Sequence, residues 1–96
     1  MGDYEERKKE LNQQYRESAE RSRTPGPGTG DSKLSQNNRD MQQMKEREVT
    51  TLREMQSLAP ASERAMVDHT LAKTESEARE YRDRADHYER KLNEGS

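Results

Sequence analysis

The chain has 96 residues, of which 25% belong to the apolar set and 40% are charged; it contains no Phe, Trp or Cys. An ordinary soluble domain is about 45–50% apolar and about 25% charged, so this composition excludes a layered globule around a wide core and, with it, an enclosed catalytic pocket. Eighteen basic and twenty acidic residues are interleaved along the chain and nearly cancel, leaving a net charge of −2. Neither the Lys/Arg surplus that displaces counterions from nucleic acid nor the polybasic cluster that an anionic membrane attracts is present. The predicted partners are therefore proteins, with no nucleic acid and no small-molecule substrate.

Residues 1–23 are rich in Glu, Lys, Arg and Gln and predict a first helix. Its apolar positions are few: Tyr4, Leu11, Tyr15 and Ala19. That is a thin stripe for a helix standing alone. Met1-Gly2-Asp3-Tyr4 does not read as the start of a signal peptide, and no apolar run approaches the roughly 18 residues of a membrane span. A cytoplasmic or nuclear setting is expected.

Residues 24–33 predict a flexible linker, because Thr24-Pro25-Gly26-Pro27-Gly28-Thr29-Gly30 packs two prolines and three glycines into seven positions. Its glycines lack the lysine and the preceding strand of a phosphate-binding loop. At its head, Arg21-Ser22-Arg23-Thr24-Pro25 sets two hydroxyls among arginines, making Ser22 and Thr24 candidate phosphorylation sites.

Residues 34–58 predict a second helix, with Leu34, Met41, Glu48 and Met55 spaced by sevens and Met44, Val49, Leu52 and Leu58 beside them. Glu48 interrupts this stripe. The run then meets Ser57-Leu58-Ala59-Pro60-Ala61-Ser62, where proline suits the first turn of a new helix and not the interior of an old one. A hairpin at Pro60 is the preferred reading, and one long kinked helix is its rival.

Residues 60–94 carry the most regular pattern. Val67, Leu71, Thr74, Ala78, Tyr81, Ala85, Tyr88 and Leu92 recur at alternating steps of four and three, as in a heptad seam. The fold class expected is all-α, an elongated antiparallel helical hairpin or three-helix bundle with a coiled-coil-like seam. Folding back at Pro60 leaves Tyr81 to Leu92 overhanging the shorter second helix. Val67, Leu71, Ala78, Tyr81, Ala85, Tyr88 and Leu92 are accordingly the candidate partner-binding residues, offered to a helix of another protein or of a second copy. The function expected is that of a non-enzymatic interaction or scaffold module. The alternative is a largely disordered hydrophilic regulator that folds on binding, or a solvating protectant. His69 and His87 are eighteen residues apart and each follows an aspartate, an arrangement of exposed histidines and not of a metal site. No cofactor or catalytic group is expected.

Overall fold

The computed structural model describes residues 2–23 and 30–94. They form three helices, α1 (Gly2–Arg23), α2 (Gly30–Leu58) and α3 (Ala61–Glu94), and no strand occurs among them. The molecule is elongated and flat, 54 × 21 × 14 Å across its Cα atoms.

The hairpin at Pro60 forms, and the kinked helix does not. Only Ala59 and Pro60 separate α2 from α3. The Ala59 N–H still donates to the Met55 carbonyl at 2.7 Å, and the Pro60 carbonyl then accepts from the Glu63 and Arg64 N–H groups at 2.9 and 3.1 Å. Pro60 thus stands as the cap of α3, where it donates nothing and its carbonyl is used at once. The Ser57 hydroxyl donates back to the Glu54 carbonyl at 2.8 Å, in the last turn of α2.

Polar and charged pairs mark the antiparallel register of α2 on α3 along their whole length. Gln56 meets Asp68 at 2.7 Å, Arg53 meets Glu75 at 3.3 Å and Lys45 meets Glu77 at 3.6 Å. Arg39 reaches Asp86 and Glu89 at 2.8 and 2.9 Å, and Asp31 lies 3.9 Å from Lys91. Beneath this ladder run Leu52 and Val67, each 1% exposed, with Met55, Leu71, Ala78 and the wholly enclosed Ala85. The two small residues Ala78 and Ala85 let the helices close together.

Helix α2 starts at Gly30, four residues before the expected boundary. Gly30 has φ +72°, a left-handed conformation that glycine adopts without a steric penalty, and Asp31 follows in the first turn, where a negative charge suits the helix N-terminus. The extra turn brings α2 to Lys91, so the overhang expected of α3 is spanned by α2 itself.

Helix α1 lies antiparallel on α2 through Arg7–Glu54 at 3.2 Å, Glu17–Arg47 at 3.6 Å and Arg21–Asp40 at 2.7 Å. Its Tyr4 and Leu11 join the core of Leu52, Met55, Ala59, Val67 and Leu71, and Tyr15 packs against that cluster. Ala19, the fourth expected apolar contact of α1, is exposed. The two neighbours of α2 are consequently parallel to each other, giving an up-down-up three-helix bundle.

Candidate interaction surface

The bundle does not close between α1 and α3. Among the described residues no Cα of α1 comes within 8 Å of a Cα of α3, whereas α2 approaches both. Only side chains bridge α1 to the start of α3: the Tyr4 hydroxyl donates to Glu63 at 3.2 Å, and the Lys8 ammonium lies 3.5 Å from the same carboxylate. Beyond that clasp the two helices stand apart as the walls of a trough whose floor is α2.

At the hairpin end the trough holds an apolar cleft of about 230 Å³ between Leu11 and Tyr15 of α1, Leu52 and Met55 of α2, and Met66 and Val67 of α3. Met66 stands at its rim, 57% exposed. Tyr15 also borders a second hollow of about 260 Å³, between Ala19, Met41, Lys45, Glu77 and Tyr81. Met41, Ser22 and Tyr81 continue into a third, of about 130 Å³, lined also by Arg21 and Asn37. From Val67 to Tyr81 the trough therefore runs about 21 Å along α3 at 1.5 Å per residue.

The candidate seam divides between the interior and this face. Val67, Leu71, Ala78 and Ala85 are buried inside the bundle, together with Thr74. Tyr81 and Tyr88 are half-buried, and Leu92 is 41% exposed. On a helix of 3.6 residues per turn Met66, Thr70, Glu77, Tyr81 and Tyr88 fall on one stripe, on the trough side of the seam. The seam's inner members thus serve the chain's own hairpin, and its outer aromatic edge remains available.

Every tyrosine carries a cation over its ring. Lys8 lies 5.4 Å from the centroid of Tyr4, Lys45 6.0 Å from Tyr15, Arg84 5.4 Å from Tyr81 and Lys91 5.9 Å from Tyr88. The aliphatic stems of such cations cover aromatic surface that the sparse core leaves uncovered. His87 adds its ring edge to Tyr88, 5.3 Å between centroids.

A polar layer crosses the middle of the bundle. Glu48, at the apolar spacing of α2, is fully enclosed; its Oε1 lies 3.2 Å from the Lys45 ammonium, and its Oε2 has no hydrogen-bond partner among the described residues. Lys45 also meets Glu77. Buried Gln14 likewise leaves its Oε1 without a described partner. Three buried hydroxyls are satisfied within their own helices: Ser18 on the Tyr15 carbonyl, Thr51 on that of Arg47, Thr74 on that of Thr70. Burial, followed by the nearby Glu48 and Glu77 charges, pushes the Tyr15 hydroxyl above its ordinary pKa of 10.0. Burial also raises Tyr4, aided by its hydrogen bond to Glu63. At the rim, the hydrogen bond from Arg39 holds the Asp86 carboxyl below its usual value.

Sequence periodicity alone assigned Glu48 to an interruption of the stripe and did not identify Gln14 and Ser18 as buried. Their positions, seven and eleven residues after Arg7 with Leu11 and Tyr15 on the same flank, carry the signal that was available: polar residues on the inner face of a helix with too few apolar ones. Ser22 is exposed in the last turn of α1, while Thr24 lies outside the described residues. Both histidines are exposed, and no group of three or more metal-binding side chains gathers among the described residues. No described helix is long and apolar enough to cross a membrane.

No family model, curated protein or solved structure matches the chain.

Proposed function

We propose that the chain is a non-enzymatic interaction module, a coiled-coil-like scaffold element that receives a helix, from another protein or from its own copy, in the trough between α1 and α3. The observation that carries this reading is the separation of those two helices over an apolar floor, with Met66 and Tyr81 left on the rim. Three helices arranged up-down-up leave the fourth position of a four-helix bundle vacant, and a helix antiparallel to both walls fits it. Seam residues Tyr81, Tyr88 and Leu92 extend the same contact past the end of α1. The mixed charges along the walls set register and partner choice and add little affinity. Such a module works in the cytoplasm or nucleus.

Within this reading Ser22 is a regulatory position. Its neighbour Arg21 ties α1 to Asp40 at 2.7 Å and to Asn37 at 2.9 Å. A phosphate on Ser22 competes for that guanidinium and adds negative charge at the C-terminal end of α1, where the helix dipole opposes it. Phosphorylation is expected to loosen α1 and widen the trough.

Titrating methyl-labelled protein with an amphipathic helical peptide bearing leucine at its a and d positions tests the reading. Met66, Met55 and the ring of Tyr81 are expected to shift while the Thr50 and Arg79 amides, on the opposite face, stay in place. A peptide that perturbs Thr50 and leaves Met66 unmoved overturns it.

A further inference from the structure

Resting on the trough as the interaction face, we infer that its occupant is an acidic amphipathic helix of another protein, apolar along one stripe and carrying Asp or Glu on both flanks of that stripe. The charges of the two walls select it.

Both walls carry rows of cations. On α1, Arg16 follows Asn12 by four residues and precedes Ala19 by three, and Arg23 follows Ala19 by four; Asn12 and Ala19 both line the trough, so the helical repeat sets Arg16 and Arg23 on its shoulder. On α3, Lys73 stands in the same way between Thr70 and Glu77. Arg84 and Lys91 are placed by the rings they cover, 5.4 Å from Tyr81 and 5.9 Å from Tyr88. All of these cations are exposed. Arg16 and Arg23 are seven residues apart, as are Arg84 and Lys91, the repeat at which the flanking charges of one helix meet those of another.

The carboxylates on this side are already engaged. Glu63 and Glu5 lie 3.5 and 3.9 Å from Lys8, and Glu77 lies 3.6 Å from Lys45 on the floor. Arg16, Arg23 and Lys73, by contrast, have no ion pair among the described residues. Arg84 and Lys91 stand at 3.9 Å from Glu80 and Asp31. Further acids of α3 face the other way, where Glu75 and Asp86 meet Arg53 and Arg39 of α2. A chain of net charge −2 thus leaves its unmatched positive charge along the trough.

These cations also oppose one another across the gap. Glu17 meets Arg47 and Glu77 meets Lys45 on one turn of α2, which brings Arg16 within about a turn of the level of Lys73. Arg21 meets Asp40 and Asp86 meets Arg39, which brings Arg23 within about a turn of Arg84. An empty trough therefore holds like charges face to face at two levels, and a helix with carboxylates on both flanks relieves both. The apolar cleft between Leu11, Met55 and Met66 requires an apolar stripe between those flanks, which a nucleic-acid strand does not offer. A second copy laid trough to trough brings the same cations and is repelled.

Two helical peptides with the same leucines at a and d, one with Glu and the other with Lys at every e and g position, test the inference against the full chain. At low ionic strength the Glu peptide is expected to bind about tenfold more tightly, with the ratio closing as salt is added. Arg16→Glu combined with Lys73→Glu is expected to reverse the preference with helicity unchanged, while Arg79→Glu combined with Arg90→Glu, on the other side of α3, preserves it. Equal binding of the two peptides, or preference for Lys, overturns the acidic partner, and if both shift Met66 the trough itself stands. If neither peptide shifts Met66, the trough falls and the inference with it. A preference for Glu that survives reversal of Arg16 and Lys73 overturns the role of these walls, and an oligothymidylate that displaces the Glu peptide and shifts Met66 overturns the helical occupant.

Discussion

Glu48 is the residue at which composition and fold conflict most sharply. A carboxylate with no exposure and one oxygen without a described partner opposes folding, and only the Lys45 ammonium at 3.2 Å offsets that cost. A buried pair is often no more stabilising than apolar side chains of the same volume, whereas removing one partner strands the other. Glu48→Leu is therefore expected to raise stability by roughly 1–2 kcal/mol, with Lys45 still held by Glu77. Lys45→Met, which strands Glu48 and Glu77 together, is expected to lower it by about 2–3 kcal/mol. Urea unfolding of the two variants checks both signs. The sevenfold spacing of Leu34, Met41, Glu48 and Met55 placed Glu48 on the inner stripe of its helix, but its full burial was not legible there. That burial depends on α1 lying across α2 at the same level, a long-range fact that periodicity along one helix does not contain.

Among the elements, α1 is held least firmly. Its buried apolar residues are Tyr4 and Leu11, helped by half-buried Tyr15, and three charged pairs fasten it to α2. Exposed pairs of this kind contribute little individually, so the apolar anchors decide whether α1 stays. Leu11→Ala is expected to cost about 2–3 kcal/mol and to release α1 before the hairpin. Hydrogen exchange checks this: α1 amides speed up by one to two orders of magnitude while those around Leu52 and Val67 change little. Phosphate on Ser22 is expected to act in the same direction. The hairpin was the most legible element. Pro60 marked the turn, and the alternating steps of four and three from Val67 to Ala85 marked the buried face of α3, because both are local consequences of helix geometry. The start of α2 was less so. Gly30 belongs to a run of glycines and prolines that reads as linker throughout, and only its positive φ, with Asp31 placed near Lys91, fixes the boundary.

At the scale of the whole molecule, a chain with one quarter apolar residues builds a bundle by spending most of those it buries on one narrow interface, α2 against α3. Little remains for a third contact, and α1 consequently rests on α2 without closing on α3. The open trough follows directly from the composition: too few apolar side chains exist to line all three interfaces of a triangular bundle. Sequence periodicity located a greasy edge at Tyr81, Tyr88 and Leu92 and assigned it to an overhang. In the folded chain α2 spans that overhang, and the edge is continuous with the trough that Met66 and Tyr15 open at the other end. The proposed working face is this one and not the opposite. A neutral soluble paramagnetic probe reads it directly through the relaxation of the Met66 methyl group in the free chain and with the leucine-bearing helical peptide added. Strong enhancement in the free chain and marked protection with the peptide, with Thr50 equally accessible in both, is the predicted result; protection of Thr50 while Met66 stays fully accessible would contradict it.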